Sequence, residues 1–318
     1  MRSIAVIGGG RWSRVIITVL SEISDRKIKI IWITRHGYEA AQKWVSENTG
    51  GHIEIFQNRT DVKQNLDGAI IATAVKNHFS DAMFLLKQDI PVLIEKPFAL
   101  TLKDATKLIE TIAENPQQRV AGVNHEFIYA SFLHKFCKIL NDVNITSLKI
   151  NWHDPSQETR YGETKIADLS TPITDDMLPH VLSITGLIIP IESLTLQCVN
   201  KNSYNDVLVK MNNDLGLDLE FHLSRVESKR TRFISINQGE YQIDFSEEPG
   251  EIIIKGQSIE NEWHGTRPLS RSLSSFTAVI ETPYTAGQWP LHIKNFARDI
   301  EFLEAARTLL AKKHSNRI

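Results

Sequence analysis

The stretch SIAVIGGGRWS (3–13) limits how this chain can fold more than any other. A short apolar run stops at three glycines. WSRVIITVLSEI (12–23) follows with Val15, Ile16, Val19 and Leu20 at helical spacing. A strand that turns on glycine straight into an amphipathic helix is a βα unit, and the alternation recurs. KIKIIWIT (27–34), HIEIFQ (52–57), GAIIATA (68–74), PVLIEKP (91–97) and RVAGVN (119–124) read as strands. GYEAAQKWVSEN (37–48), HFSDAMFLLKQD (78–89) and TLKDATKLIETIAEN (101–115) read as helices. The last opens with Thr101 and has Asp104 three residues on, a capping pattern. Continuous apolar strands between amphipathic helices predict a parallel sheet covered on both faces, a doubly wound Rossmann domain over residues 1–124.

The pattern changes after residue 124. HEFIYASFLHKFCKILND (125–142) reads as one long helix. Strand-like stretches then follow at 147–154, 194–200, 206–212, 217–225, 230–237, 240–246 and 250–256, joined by hairpin-like turns. They predict a large, mostly antiparallel open sheet. DLSTPITDDMLPHVLSITGLI (168–188) reads as a helix with a polar entry, and HGTRPLSRSLSSF (264–276) as a polar surface loop. A last helix over 291–313 is expected to pack back across the domains. The fold class is thus α/β plus α+β, with a substrate-binding and dimerisation domain over 125–318. An open antiparallel sheet needs cover on its second face, which a further copy of the chain can supply, as a homodimer or homotetramer.

Composition removes several classes of function. The 318 residues carry a formal net charge of −2, without the basic excess of a nucleic-acid surface. No apolar run approaches the roughly 20 residues of a bilayer span. Cys137 and Cys198 are the two cysteines, which suits a reducing cytoplasm better than a disulfide framework. No His/Cys cluster has metal-ligand spacing, so no metal is expected.

GGGRWS (8–13) fits G-x-G-x-x-G at Gly8 and Gly10, with Ser13 in the third place. Gly8 would make the tight turn and Gly10 would admit a pyrophosphate, which Arg11 and Trp12 at the helix start would meet with free N–H groups. An NAD site would place Asp or Glu at the end of the second strand. This chain has Thr34-Arg35-His36 there. A guanidinium suits a 2′-phosphate, so NADP(H) is expected over NAD(H). PVLIEKP ends in Lys96 at the carboxyl rim of the sheet, where ligands of such folds bind.

The glycine loop, TAVKNHFSDA (73–82), EKP (95–97), GVNHEF (122–127) and DDMLPH (175–180) occur in one order. This resembles the Gfo/Idh/MocA family, named for glucose–fructose oxidoreductase, inositol dehydrogenase and a rhizopine-catabolism protein. The resemblance runs over nearly the whole chain, including the antiparallel domain. It implies that Lys96 bonds the reacting substrate oxygen and the nicotinamide ribose, that Glu95 lies near the nicotinamide, and that Pro97 follows in cis. Thr73 and His78 match the family's T-P-N-x-x-H, with Ala74 and Val75 in place of its proline and asparagine. Asn124 falls where the sixth strand approaches the nicotinamide. Asp176 and His180 match D-x-x-x-H. On a helix that spacing puts both on one face, so that Asp176 could orient His180 for proton exchange. Pro179, Ser183 and His125-Glu126 depart from the family pattern and weigh against a sugar or cyclitol substrate. Trp152, Arg160 and Tyr161, in WHDPSQETRYGE (152–163), are expected substrate contacts.

The expected reaction is hydride transfer between nicotinamide and a C–OH or C=O carbon of a small polar metabolite. Reduction of a C=N bond, as in thiazolinyl imine reductases, is the alternative. A dinucleotide sensor without turnover is a third reading, and Lys96 with His180 argues against it.

Overall fold

The computed structural model describes residues 1–24, 27–49, 53–160, 163–167, 169–261, 263, 265–282 and 287–315, with backbone alone at 160, 163 and 312–315. In chain order the elements are β1 (Arg2–Ile7), α1 (Arg11–Ile23), β2 (Ile28–Ile33), α2 (Tyr38–Asn48), β3 (Glu54–Phe56), β4 (Gly68–Ile71), α3 (Val75–Leu86), β5 (Val92–Ile94), α4 (Leu102–Glu114) and β6 (Ala121–Val123). There follow α5 (Ser131–Ile139), β7 (Ser147–Pro155), β8 (Gln157–Arg160), β9 (Glu163–Ile166), α6 (Ile173–Ile188), β10 (Thr195–Ser203), β11 (Asp206–Asn212) and β12 (Asp218–Glu227). The chain closes with β13 (Thr231–Ile236), β14 (Tyr241–Asp244), β15 (Glu251–Ile254), β16 (Gln257–Ile259), α7 (Pro268–Glu281) and α8 (Ala297–Ser315). These form two units. Met1–Glu126 folds with Leu269–Ala297, and Phe127–Pro268 folds with Arg298–Ile318.

The first unit holds a six-stranded parallel sheet in the order β3-β2-β1-β4-β5-β6. Its central strands are covered on both faces: Ile4, Ala5, Val6, Ala69, Ile70, Ile71, Val92, Leu93 and Ile94 are all buried. This explains why they read as unbroken apolar runs. Thr101 caps α4 as its sequence suggests, accepting from the Asp104 N–H at 3.1 Å.

The segment read as a polar surface loop at 264–276 needs correcting. From Pro268 it is helix α7, with Leu269, Leu273, Phe276 and Ile280 buried in the first unit. Serines 270, 272, 274 and 275 mask that apolar stripe in the sequence. The helix lies against the start of β4, where a side chain on Gly68 would meet Ile280 Cδ1 at 2.4 Å. Trp289 likewise fills the space a side chain on Gly122 would take. Leu291 then accepts from Val123 N–H at 2.8 Å, and His292 bridges to Gly122. These residues edge the sheet, so the last helix starts at Ala297 rather than 291.

The second unit holds an eight-stranded sheet in the order β10-β11-β12-β7-β13-β14-β15-β16, antiparallel except for the β12–β7 pair. Helix α6 covers one face, burying Leu178, Val181 and Leu182 beside Ile150, Val209 and Phe221. The other face carries a charged ladder, in which Glu220 pairs with Lys149 (2.9 Å) and Lys210 (3.3 Å). The long helix expected over 125–142 is a 3-10 turn at Glu126–Tyr129 followed by α5. The chain passes between the units there, and Phe127 is drawn into the second core. The strand expected over 250–256 ends at Ile254, because Lys255 and Gly256 take positive φ and turn the chain into β16.

Candidate active site

The glycine loop joins β1 to α1. Gly8 has φ +142°, and a Cβ there would lie 2.3 Å from the Ala72 carbonyl oxygen. Gly9, which the motif leaves as an unspecified position, is equally constrained: its Cβ would meet Thr34 Oγ1 at 2.4 Å and the His36 carbonyl at 2.5 Å. Gly10 is the N-cap of α1, and a Cβ there would meet only open space. The loop is thus wedged between the ends of β2 and β4, with its third glycine facing out. Two bonds fix the wedge. Trp32 Nε1 donates to Gly8 O (2.6 Å), and Thr34 Oγ1 donates to His36 O (2.6 Å). No motif in the sequence marks Trp32, a residue of the β2 strand, for this role.

A cavity of about 750 Å³ opens beside this loop, lined by Gly8–Gly10, Arg35, Arg59, Thr73 and Asp81 among others. Arg35 is exposed at the end of β2. Arg59, missed in the sequence, is held flat. Its guanidinium sits 3.8 Å over the Phe84 ring and pairs with Asp81 at 2.9 Å, and Thr73 Oγ1 also donates to Asp81 (3.0 Å). Arg11 and Trp12 open α1, both half-buried. The Ser13 hydroxyl is buried against the glycine turn with no hydrogen-bond partner. An open helix N-terminus, an orphaned hydroxyl and two guanidiniums fit the phosphates of a dinucleotide. A bound nicotinamide dinucleotide would supply or accept the hydride.

The ends of β4 and β5 are cinched together by His78, whose Nδ1 lies 2.8 Å from Pro97 O and whose Nε2 lies 2.9 Å from Thr73 O. Burial outweighs these contacts and lowers its pKa. Beyond β5 come Glu95, 7% exposed, then half-buried Lys96 and the cis bond to Pro97. Asn124, after β6, donates from Nδ2 to Glu95 Oε1 (2.5 Å), and its Oδ1 accepts from Ser272 Oγ on α7 (2.6 Å). Burial raises the Glu95 pKa, while Trp12, Asn124 and Lys96 each pull it down. His125 is buried against Phe296, and burial with the nearby Lys96 charge lowers its pKa to about 3.

In the second unit, α6 carries Asp176 and His180 one turn apart. Asp176 Oδ2 accepts from buried Arg225 (2.8 Å), which also donates to Thr171 O (2.9 Å). The half-buried His180 ring stacks on Trp152, with centroids 5.1 Å apart and planes at 17°. Trp152 is only 2% exposed. Arg232 sits 3.9 Å over its ring, donates to His153 O (2.6 Å) and pairs with Asp154. Trp152 thus meets the histidine and the core rather than solvent. Arg160 ends β8 with its side chain outside the description, and Tyr161 lies outside the described residues. Among the described residues no group of three or more His, Cys, Asp or Glu could hold a metal.

The model of the Gfo/Idh/MocA oxidoreductase family, a family with an NAD-binding Rossmann fold, matches residues 2–125. That segment belongs to this family. By that match residues 2–125 form an NAD(P)-binding Rossmann domain of the oxidoreductase type. Glucose-6-phosphate 3-dehydrogenase of Bacillus subtilis (strain 168) is 26% identical over 179 residues, 56% of this chain and 50% of that protein. The match therefore spans about half the length of that curated relative. UDP-N-acetylglucosamine 3-dehydrogenase GnnA from Acidithiobacillus ferrooxidans has the same fold, with TM-score 0.76 at 17% identity over 96% of this chain and 97% of that one. So does KijD10, a 3-ketoreductase from Actinomadura kijaniata in complex with NADP and TDP-benzene, with TM-score 0.77 at 12% identity over 97% of each chain. An oxidoreductase from Agrobacterium radiobacter in complex with NAD+, L-tartaric acid and magnesium gives TM-score 0.73 at 14% identity, covering 98% of this chain and 96% of that one. No described helix is long and apolar enough to cross a membrane.

Proposed function

We propose that the protein is an NADP(H)-dependent oxidoreductase acting at a C–OH or C=O carbon of a small polar metabolite. The observation that carries this reading is Lys96, a cation at the carboxyl rim of the sheet. It sits beside buried Glu95, whose carboxylate accepts from Asn124 after β6, while Thr73, after the neighbouring strand β4, lines the glycine-loop cavity. Lys96 donates to the reacting oxygen and stabilises the charge that develops there. Glu95 and Asn124 hold Lys96 and the nicotinamide face in place. His180, in the second unit, exchanges the hydroxyl proton, with its ring plane set by Trp152. Arg35 supports NADP(H) over NAD(H), since no carboxylate ends β2.

The relatives' names narrow the substrate to be tested first. The curated relative and two of the structural ones are named for chemistry at position 3 of a sugar or as a 3-ketoreductase. A sugar phosphate or nucleotide sugar is therefore the first class to try, although His125 and Glu126 depart from the arginines of sugar-binding members. The open face of the eight-stranded sheet is the proposed homodimer or homotetramer surface, and the two free cysteines suit a cytoplasmic setting.

The test is NADPH oxidation against a panel of 3-keto-sugars, their nucleotide and phosphate derivatives, and cyclic imines. Turnover of a keto compound supports the reading. Turnover of imines alone replaces it with C=N reduction. Tight NADPH binding with no turnover of any of them replaces it with a sensor.

A further inference from the structure

The first unit contains a line of buried polar groups that ends beside Lys96 and starts on an element outside the matched family segment. Ser272, on α7, is 0% exposed. Its hydroxyl donates to Asn124 Oδ1 (2.6 Å), and Asn124 Nδ2 donates to Glu95 Oε1 (2.5 Å). The Asn124 backbone is fixed as well, its N–H donating to Ile94 O at 2.8 Å. These residues are drawn from three places in the chain, with 148 positions separating Ser272 from Asn124.

We propose that Ser272 is a positioning residue for the coenzyme site: its hydroxyl, donating to the Asn124 amide oxygen, holds and polarises the amide whose N–H meets the Glu95 carboxylate beside Lys96. An asparagine amide can present oxygen or nitrogen in the same volume, and only its partners choose. A hydroxyl can donate or accept, so the Glu95 carboxylate, an acceptor only, calls for the amide nitrogen, and donation from Ser272 to the amide oxygen locks that flip. Polarisation through the amide strengthens the N–H bond to the carboxylate. In the opposite flip Glu95 would have to be protonated to donate to the amide oxygen. That arrangement swaps a charge-assisted bond for a neutral one. Ser272 therefore favours the charged form of Glu95.

Lys96 is the charged group acting directly on Glu95. His78 on α3 and His125 after β6 also feel Lys96, and burial keeps both neutral. From α1 comes the Trp12 indole, and from α7 the uncharged Ser272. Ser275, one turn further along α7, offers an internal control. Its hydroxyl donates to Ser272 O (2.7 Å) and accepts from Trp289 Nε1 (3.0 Å), without touching Asn124.

This inference rests on the coenzyme reading only in taking Lys96 as the group that meets nicotinamide. Its test uses the ligand-free protein. Side-chain carboxyls of the ¹³C-glutamate-labelled protein are titrated by NMR, with Glu95 assigned from Glu95→Gln. Ser272→Ala is expected to raise the Glu95 midpoint by about half a pH unit, the share of a charge-assisted bond that polarisation supplies. Ser275→Ala is expected to leave it in place while lowering thermal stability. Ser272→Cys, a weak donor of similar size, is expected to fall between wild type and Ala and serves if the alanine variant does not fold. An unmoved midpoint in Ser272→Ala, or equal shifts in both serine variants, overturns the proposal. NADPH binding by wild type is measured beside it. Failure to bind would sink the coenzyme reading and leave the titration result standing.

Discussion

The indole of Trp152 lies flat against the imidazole of His180, 17° from parallel. One residue comes from the middle strand of the second sheet and the other from the helix that covers it. Phe127 meets the histidine edge-on at 5.8 Å, and Arg232 braces the indole. A histidine with a free rotor would sample many proton-donor directions, and this one is held to a single plane. Asp176, expected as its orienting partner, is itself held by Arg225. Trp152→Phe should keep the stacking face and most of the turnover. Trp152→Ala should cost about 3–5 kcal/mol of stability by denaturant titration, because it opens a large hole in the second core. If Trp152→Ala is as stable as wild type, the packing described here is wrong.

Lys96→Ala should cut turnover about a thousandfold, the scale of losing one preorganised donor to a developing oxyanion. NADPH binding, followed by fluorescence, should stay largely intact. Equal losses in binding and turnover would make Lys96 a coenzyme anchor instead.

Arg35→Ala should weaken NADPH binding about 10- to 100-fold and leave NADH binding unchanged, as expected for charge-assisted bonds to a single phosphate. Arg59→Ala serves as the comparison. Its guanidinium lines the same cavity but is anchored by Asp81 and Phe84 rather than placed at the end of β2, so its loss should weaken both coenzymes alike. A selective NADPH defect in Arg59→Ala, with none in Arg35→Ala, would move the specificity assignment to Arg59.

His125 gives the fold a pH dependence of defined sign. Its folded pKa, about 3, lies below the ordinary value of 6.5. The unfolded chain therefore takes up a proton first as pH falls. Stability from the buried neutral ring is complete above about pH 6.5 and drains away as pH drops toward 3. His125→Phe, which keeps a ring beside Phe296, should flatten the unfolding free energy over that window. An unchanged slope would show that the ring titrates in solvent.

The first sheet could be read directly because its information is local. Each βα unit announces itself within about fifteen residues, and a buried parallel strand needs no partner's sequence to look apolar. The glycine loop and EKP share this property, since backbone shape and strand-end position follow from neighbours in the chain. The same logic failed for α7, where serines at Ser270, Ser272, Ser274 and Ser275 hid a stripe of Leu269, Leu273, Phe276 and Ile280. Helical spacing was present, and composition overrode it. Gly9 and Trp32 were missed for another reason: their constraint is a close approach by residues on other strands, which no motif spells out.

The sequence alone determined that a parallel nucleotide-binding sheet comes first, that an antiparallel sheet follows, and that a lysine stands at the rim of the first. Tertiary structure alone decided what that lysine's neighbourhood is made of. Ser272 reaches Asn124 across 148 positions, and Trp152 finds His180 only because a strand and a helix pack face to face. Periodicity records which side of an element is buried. It carries no record of which side chain waits on the other surface, because that choice is made when the layers close and each buried polar group must find its partner.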